Sequence, residues 1–160
     1  PVLQFSDKVL DESLDIISWA MESSPSNVHI YSEAEEIFSL ELVQLFDTKF
    51  KYHLDRYKYS SRYDVEPEEH QQECKAILES LETKIDPSPW IFGNQVSLLD
   101  ISILPFIRQY KIANTDWFLD QSFMKVIALL NYFENSDLFA QAMQKYDLWD
   151  PVKNNGNIFP

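Results

Sequence analysis

Apolar side chains recur at helical spacing along most of these 160 residues, and strand-like runs occur only near the start. Pro1 to Phe5 and Val9 to Leu10 read as two short strands joined by the turn Ser6-Asp7-Lys8. Glu12 to Met21 follows as a helix, with Leu14, Ile17 and Met21 on one line and Ile16 and Ala20 beside it. The polar stretch Glu22 to Tyr31, interrupted by Pro25, predicts a linker. Ser32 and Glu35 stand at capping-box spacing and open a helical pattern that runs to about Tyr59. Within it, Val43, Phe46, Phe50, Leu54 and Tyr57 repeat at 3, 4, 4 and 3 and predict the buried stripe. Asp47, Lys51 and Asp55 alternate in sign on another face, which suits solvent or a second subunit.

Ser60 to Glu66 reads as a loop, and Pro67 suits the first residue of the next helix because its missing N–H is not needed there. Cys74, Ile77, Leu78, Leu81 and Ile85 give that helix its inward face, and Asp86-Pro87-Ser88-Pro89 ends it. The least polar helix begins at Ser97. There the Ser97 hydroxyl can accept from the Asp100 N–H while the Asp100 carboxylate reaches back to the Ser97 N–H, with Val96 and Ile101 placed as a hydrophobic staple. Leu98, Leu99, Ile101, Ile103, Leu104, Phe106 and Ile107 make it apolar nearly all round, so other helices should surround it. Pro105 removes one backbone bond and should cost about 3 kcal/mol unless the helix bends between Ile101 and Pro105. Asn114 to Asp120 reads as a loop with Trp117 and Phe118 inward, and Phe123 to Phe133 as another amphipathic helix. Ser136 caps a last helix, Asp137 to Tyr146, with Leu138, Phe139, Ala142 and Met143 inward, and the tail from Asp147 shows no periodicity.

Composition narrows the chemistry. Thirteen basic against 26 acidic residues leave a net charge of −13, which opposes nucleic acid and anionic membrane as partners. No apolar run is long enough to suggest a membrane span, and the first residues lack the pattern of a signal peptide. A single cysteine, Cys74, excludes an internal disulfide and fits a reducing compartment, so the cytoplasm is expected. Its place on an apolar helix face predicts an inert core thiol. Only two glycines, Gly93 and Gly156, leave no phosphate-cradling loop. His29, His53 and His70 are scattered and form no metal-ligand pattern, so no metal is expected.

Two motifs carry a family resemblance. The start, P-V-L, a polar turn, V-L, then D-E-S-L-D-I-I-S-W-A, is similar to the end of the thioredoxin-like domain of glutathione transferases, where a cis-proline begins the third strand and an acid-Ser or Gln-Ser pair opens the third helix. The Ser97-Leu98-Leu99-Asp100 box, preceded by F-G-x-x-x-S, resembles the folding motif of that superfamily's C-terminal domain. The resemblance implies a mainly α fold: residues 1-22 as the β-β-α end of a thioredoxin-like domain, 23-31 as linker and 32-160 as the helical domain. It implies glutathione as co-substrate, bound by Pro1, Val2, Glu12 and Ser13, with Ser13 receiving the γ-glutamyl carboxylate and Glu12 the ammonium. A helix N-terminus suits that carboxylate through its free N–H groups and partial positive charge.

In the superfamily the region of Phe50 to Tyr63 borders the second-substrate pocket, which points to Tyr52, Arg56 and Tyr59, and its helix contributes to a homodimer interface. The family's N-terminal strand-helix-strand unit, with the Ser, Tyr or Cys that activates the glutathione thiol, has no counterpart here, a difference of about 30 residues or more. The chain is therefore expected to be part of a longer protein that conjugates or reduces a small electrophile with the glutathione thiolate. No catalytic residue is expected within it, and alone it should be inactive. The competing expectation is a non-catalytic interaction or assembly module with the same fold. The Glu12-Ser13 pair favours the enzyme, since an assembly module needs no carboxylate clamp.

Overall fold

The computed structural model describes residues 1–23, 28–148 and 150. Pro25 of the expected linker and the tail from 151 onward lie outside the described residues.

The chain opens with a two-stranded antiparallel hairpin. β1 (Leu3–Gln4) pairs with β2 (Val9–Leu10), Leu3 opposite Leu10 and Gln4 opposite Val9, and the Phe5 N–H donates to the Lys8 carbonyl at 2.7 Å across the turn. α1 (Ser13–Ser23) folds back so that Trp19 meets Phe5, ring centroids 4.9 Å apart. Leu10 is the fully buried residue of this unit, and α1 itself buries none completely.

The remaining described residues form a helical bundle: α2 (Glu33–Leu45), a π-helical turn (Phe46–Phe50), α3 (Lys51–Lys58), α4 (Ser60–Tyr63), α5 (Pro67–Lys84), α6 (Leu98–Ala113), α7 (Thr115–Leu119), α8 (Met124–Glu134) and α9 (Asp137–Ala142). α6 lies at its centre and packs against α2, the π turn, α3, α7 and α8. Leu99, Ile103, Leu104 and Ile107 are fully enclosed there, as an all-round apolar helix requires. The helix runs unbroken through Pro105. This is the expected architecture, a mainly α bundle preceded by a β-β-α element.

Helix ends are fixed by local chemistry. Ser32 and Glu35 form the reciprocal capping box of α2, and Ser97 and Asp100 that of α6. The second is buried. Asp100 accepts the Ser97 N–H at 2.9 Å, the Ser97 hydroxyl at 2.6 Å and the Ile91 N–H at 3.2 Å, which ties the preceding loop to the helix. Residues beyond the linker's proline are stitched to the same point: the His29 N–H donates to the Val96 carbonyl at 2.8 Å and the Leu99 N–H to the Tyr31 hydroxyl at 2.8 Å. α8 has no cap of its own, and Glu82 of α5 supplies one by accepting from the N–H groups of Lys125 (2.8 Å) and Val126 (2.9 Å).

Four elements differ from expectation. The single helix from Ser32 to Tyr59 is interrupted by the π turn, which admits an extra residue, and the Thr48 hydroxyl donates back to the Gln44 carbonyl at 2.6 Å inside it. Phe46 and Phe50 stack there at 4.6 Å, both fully buried. Ser60–Tyr63 and Thr115–Leu119 are short helices rather than loops. Asp64 in the left-handed region (φ 52°) ends the first, and the Asn114 side chain caps the second by accepting from the Trp117 N–H. α9 stops at Ala142 and buries no residue completely; Phe139 meets Phe133 of α8 at 5.1 Å and lies under the Arg108 guanidinium of α6, while Leu138 and Met143 are exposed. Among the described residues no helix is long and apolar enough to cross a membrane.

Candidate functional site

The start of α1 is built from Asp11-Glu12-Ser13. The Glu12 carbonyl accepts the first helical bond, from the Ile16 N–H at 3.1 Å, so Glu12 stands at the cap position and Ser13 is the first helical residue. The N–H groups of the first turn therefore have no acceptor within the helix. Both side chains are exposed.

A cleft of about 340 Å³ runs from this helix end into the bundle. Pro1, Ser13, Leu14 and Ile17 form its outer wall, Val43, Asp47 and Lys51 a second, and Ile101, Ser102, Pro105, Phe106 and Gln109 of α6 the third. Pro105 has no N–H, so the Ile101 carbonyl lacks its usual helical donor at this wall. Gln109 is fixed by Lys58, whose ammonium donates to its Oε1 at 2.7 Å. Asp47 and Lys51 take part in no ion pair among the described residues. The site is thus apolar over most of its lining, with the first helical residue of α1, a carboxylate, an ammonium and an amide on its border. An amphipathic ligand with a terminal carboxylate has complementary surfaces there.

The expected residues divide. Pro1 and Ser13 border the cleft, whereas Val2 and Glu12 are exposed and stand outside its lining. Tyr52, Arg56 and Tyr59, expected at a second-substrate pocket, also stand outside it. The Arg56 guanidinium lies 3.5 Å from the centre of the Tyr52 ring and 4.6 Å from that of Tyr63, and Tyr59 sits between Lys58 (5.0 Å) and Arg62 (4.9 Å). These cations cover the aromatic faces of their own segment. Phe46, Phe50 and Leu54 stay buried across the π turn, so the apolar stripe read from the sequence continues through it. Asp47 and Lys51, read from their charges as a solvent or subunit face, also border the cleft. Sequence periodicity carried no signal for the π turn.

The histidines are less scattered than their positions in the chain suggest. His53 of α3 and His70 of α5 meet with their Nδ1 atoms 2.8 Å apart. His29 faces Glu35 at 3.3 Å and stacks on Phe92. Hydrogen bonds from Ser32 hold the Glu35 carboxyl below its usual range. Among the described residues no cluster of three or more His, Cys, Asp or Glu could hold a metal ion. Cys74 is fully buried, its thiol against the Phe50 carbonyl, and burial pushes its pKa up to about 12. Burial also raises the Asp100 carboxyl, against the lowering effect of the hydrogen bonds it accepts.

Residues 53–135, from α3 to the end of α8, match the family model described as glutathione S-transferase, C-terminal domain. The chain is 28% identical over 149 residues to glutathione S-transferase L3 of Arabidopsis thaliana, in an alignment covering 88% of this chain and 59% of that protein. It therefore spans less than two thirds of the length of the curated relative it matches.

Proposed function

The chain belongs to the glutathione S-transferase superfamily, and from that membership we propose that it binds glutathione in the cleft between α1 and the helical bundle. The observation that carries this reading is the position of Ser13, exposed at the first turn of α1 and bordering a cleft whose other walls come from the family-matched bundle. The γ-glutamyl carboxylate docks on the Ser13 hydroxyl and the free first-turn N–H groups. Glu12, exposed beside them, pairs with the ammonium, and Pro1 and Val2 border the peptide.

In the same reading the second substrate is a small electrophile held deeper in the cleft. Phe106, Ile17 and Val43 offer it apolar surface, and Asp47, Lys51 and Gln109 offer polar contacts. We assign these residues the role first expected of Tyr52, Arg56 and Tyr59, whose rings are occupied by their own cations. The chemistry is that of the glutathione sulfur: its thiolate attacks an electrophilic carbon, or a disulfide, and the leaving group departs with the electron pair. No residue bordering the cleft is a thiol, and Cys74 is enclosed in the core, so the reacting sulfur is assigned to glutathione. Ser13 and Glu12 position the tripeptide and move no proton. The reading includes a cytoplasmic homodimer, supported by family membership and the single thiol.

Retention on immobilised glutathione and calorimetric titration with glutathione test this. The protein is expected to bind, and Ser13→Ala to weaken binding about tenfold or more, the scale of a hydrogen bond to a charged group. Absence of binding by the intact protein would transfer support to the alternative, a helical interaction or assembly module.

A further inference from the structure

His53 and His70 approach through the same ring atom. Their Nδ1 atoms are 2.8 Å apart and their ring centroids 5.1 Å, with His70 buried and the His53 side chain 14% exposed. At that separation one Nδ1 carries the proton and donates while the other accepts. Two neutral imidazoles of complementary tautomer satisfy this. So does a pair with one added proton, which sits on an Nε2 and leaves the N–H···N bond between the rings intact. A second added proton places an N–H on both facing atoms, donor against donor and charge against charge.

The groups around the pair set the same limit. From the π turn, Lys49 holds Glu73 of α5 at 2.8 Å, and that carboxylate stands 4.0 Å from His53 Nε2. On α3 itself, Arg56 adds positive charge, and Tyr52 meets both imidazoles edge-on at 5.0 and 6.0 Å. No described hydrogen bond, ion pair or ring contact joins either imidazole to α6. One carboxylate, already shared with a lysine, can balance one imidazolium but not two.

We propose that His53 and His70 form a proton-sharing brace between α3 and α5, closed with no added proton or one and forced open by the second. The brace joins α3 to α5 just beyond Asp47 and Lys51, which border the cleft, so opening it loosens the helix to which that wall is attached. Burial, and then the charge of His70, hold the His53 pKa below the usual imidazole range, as a resisted second proton requires. The sign follows from proton counting. Below about pH 6.5 the unfolded chain takes up a proton on each imidazole while the closed brace takes only one, so folding stability falls as pH falls. Above that range neither state is charged and the contribution is flat. None of this depends on what occupies the cleft.

Long-range proton–nitrogen NMR of the imidazoles, followed from pH 8 to pH 4.5 in the wild-type protein, in His70→Phe and in His53→Asn, tests the brace. At pH 8 the wild type is expected to show one Nδ1–H and one Nε2–H tautomer in the pair. On acidification the two rings should titrate in separate steps about one pH unit or more apart. In His70→Phe, His53 should titrate in one step nearer to the ordinary range. The fall in Tm between pH 7.5 and pH 5 should shrink by about 2–4 °C, the shift expected for a chain of this size from removing one coupled titration. Two Nε2–H tautomers at pH 8, or two rings titrating together and independently, would overturn the proposal. So would an undiminished acid loss of Tm in a folded variant. If neither variant folds, the wild-type tautomers and titration steps decide alone.

Discussion

Two of the cleft's three walls, α1 and α6, are held in place very differently. α6 is anchored by a buried face from Leu99 to Tyr110 and by a buried carboxylate that binds three donors, whereas α1 completely buries none of its side chains. The large core cluster extends from Leu42 to Phe133 and does not include Leu10, the buried residue of the hairpin. The bundle is self-sufficient in packing, and the hairpin with α1 adds polar chemistry at little gain in buried surface. Ligand-facing elements are commonly drawn from the less stable part of a fold. A ligand that bridges both walls would stabilise the weaker one by mass action.

The largest effect is expected at Asp100. Asp100→Ala leaves the buried N–H groups of Ser97 and Ile91 without their acceptor, with an expected loss of about 2–5 kcal/mol in urea unfolding. A loss below about 1 kcal/mol would mean that the central helix does not depend on its cap. A matched pair comes next. Ile103→Ala, in a fully enclosed site, should cost about 2–5 kcal/mol, and Ile16→Ala, half-buried on α1, about 1 kcal/mol or less. Equal costs would erase the distinction between the walls. Native-state hydrogen exchange should show it without mutation, α1 amides exchanging through local opening and those of Leu104 and Ile107 only near global unfolding. The smallest effect is expected at Cys74. At pH 8 its pKa of about 12 leaves about one thiolate in ten thousand, so alkylating reagents should label it only as the protein unfolds. Rapid labelling of the folded protein would mean that the core opens far more readily than the full burial of Cys74 implies.

Much of the bundle was legible in the sequence because its signals are local. The Ser32–Glu35 and Ser97–Asp100 boxes and the first-turn Pro67 each act within a few residues of themselves, and each is found in the structure. The face from Cys74 to Leu81 is equally a matter of one helix's period. The site was only half legible. Ser13, singled out by the family resemblance, does border the cleft, but the residues of α2, α3 and α6 that line it with Ser13 are brought together by packing, which no single element encodes. Asp47 and Lys51, read as a solvent or subunit face, are not buried, and that they also border the cleft is set by packing rather than by helical period. His53 and His70, 17 positions apart, have no shared period, and only the packing of α3 on α5 joins them.

Amide chemical-shift mapping during titration with glutathione tests binding in the cleft, because it reads α1 and the bundle in the same sample. Binding across the cleft predicts shifts concentrated at Ser13 and Leu14 on one side and at Asp47, Lys51 and Ser102 on the other, with slower exchange of α1 amides in the bound state. Shifts confined to Tyr52–Tyr63, or no response at Ser13 at saturating glutathione, would contradict the account.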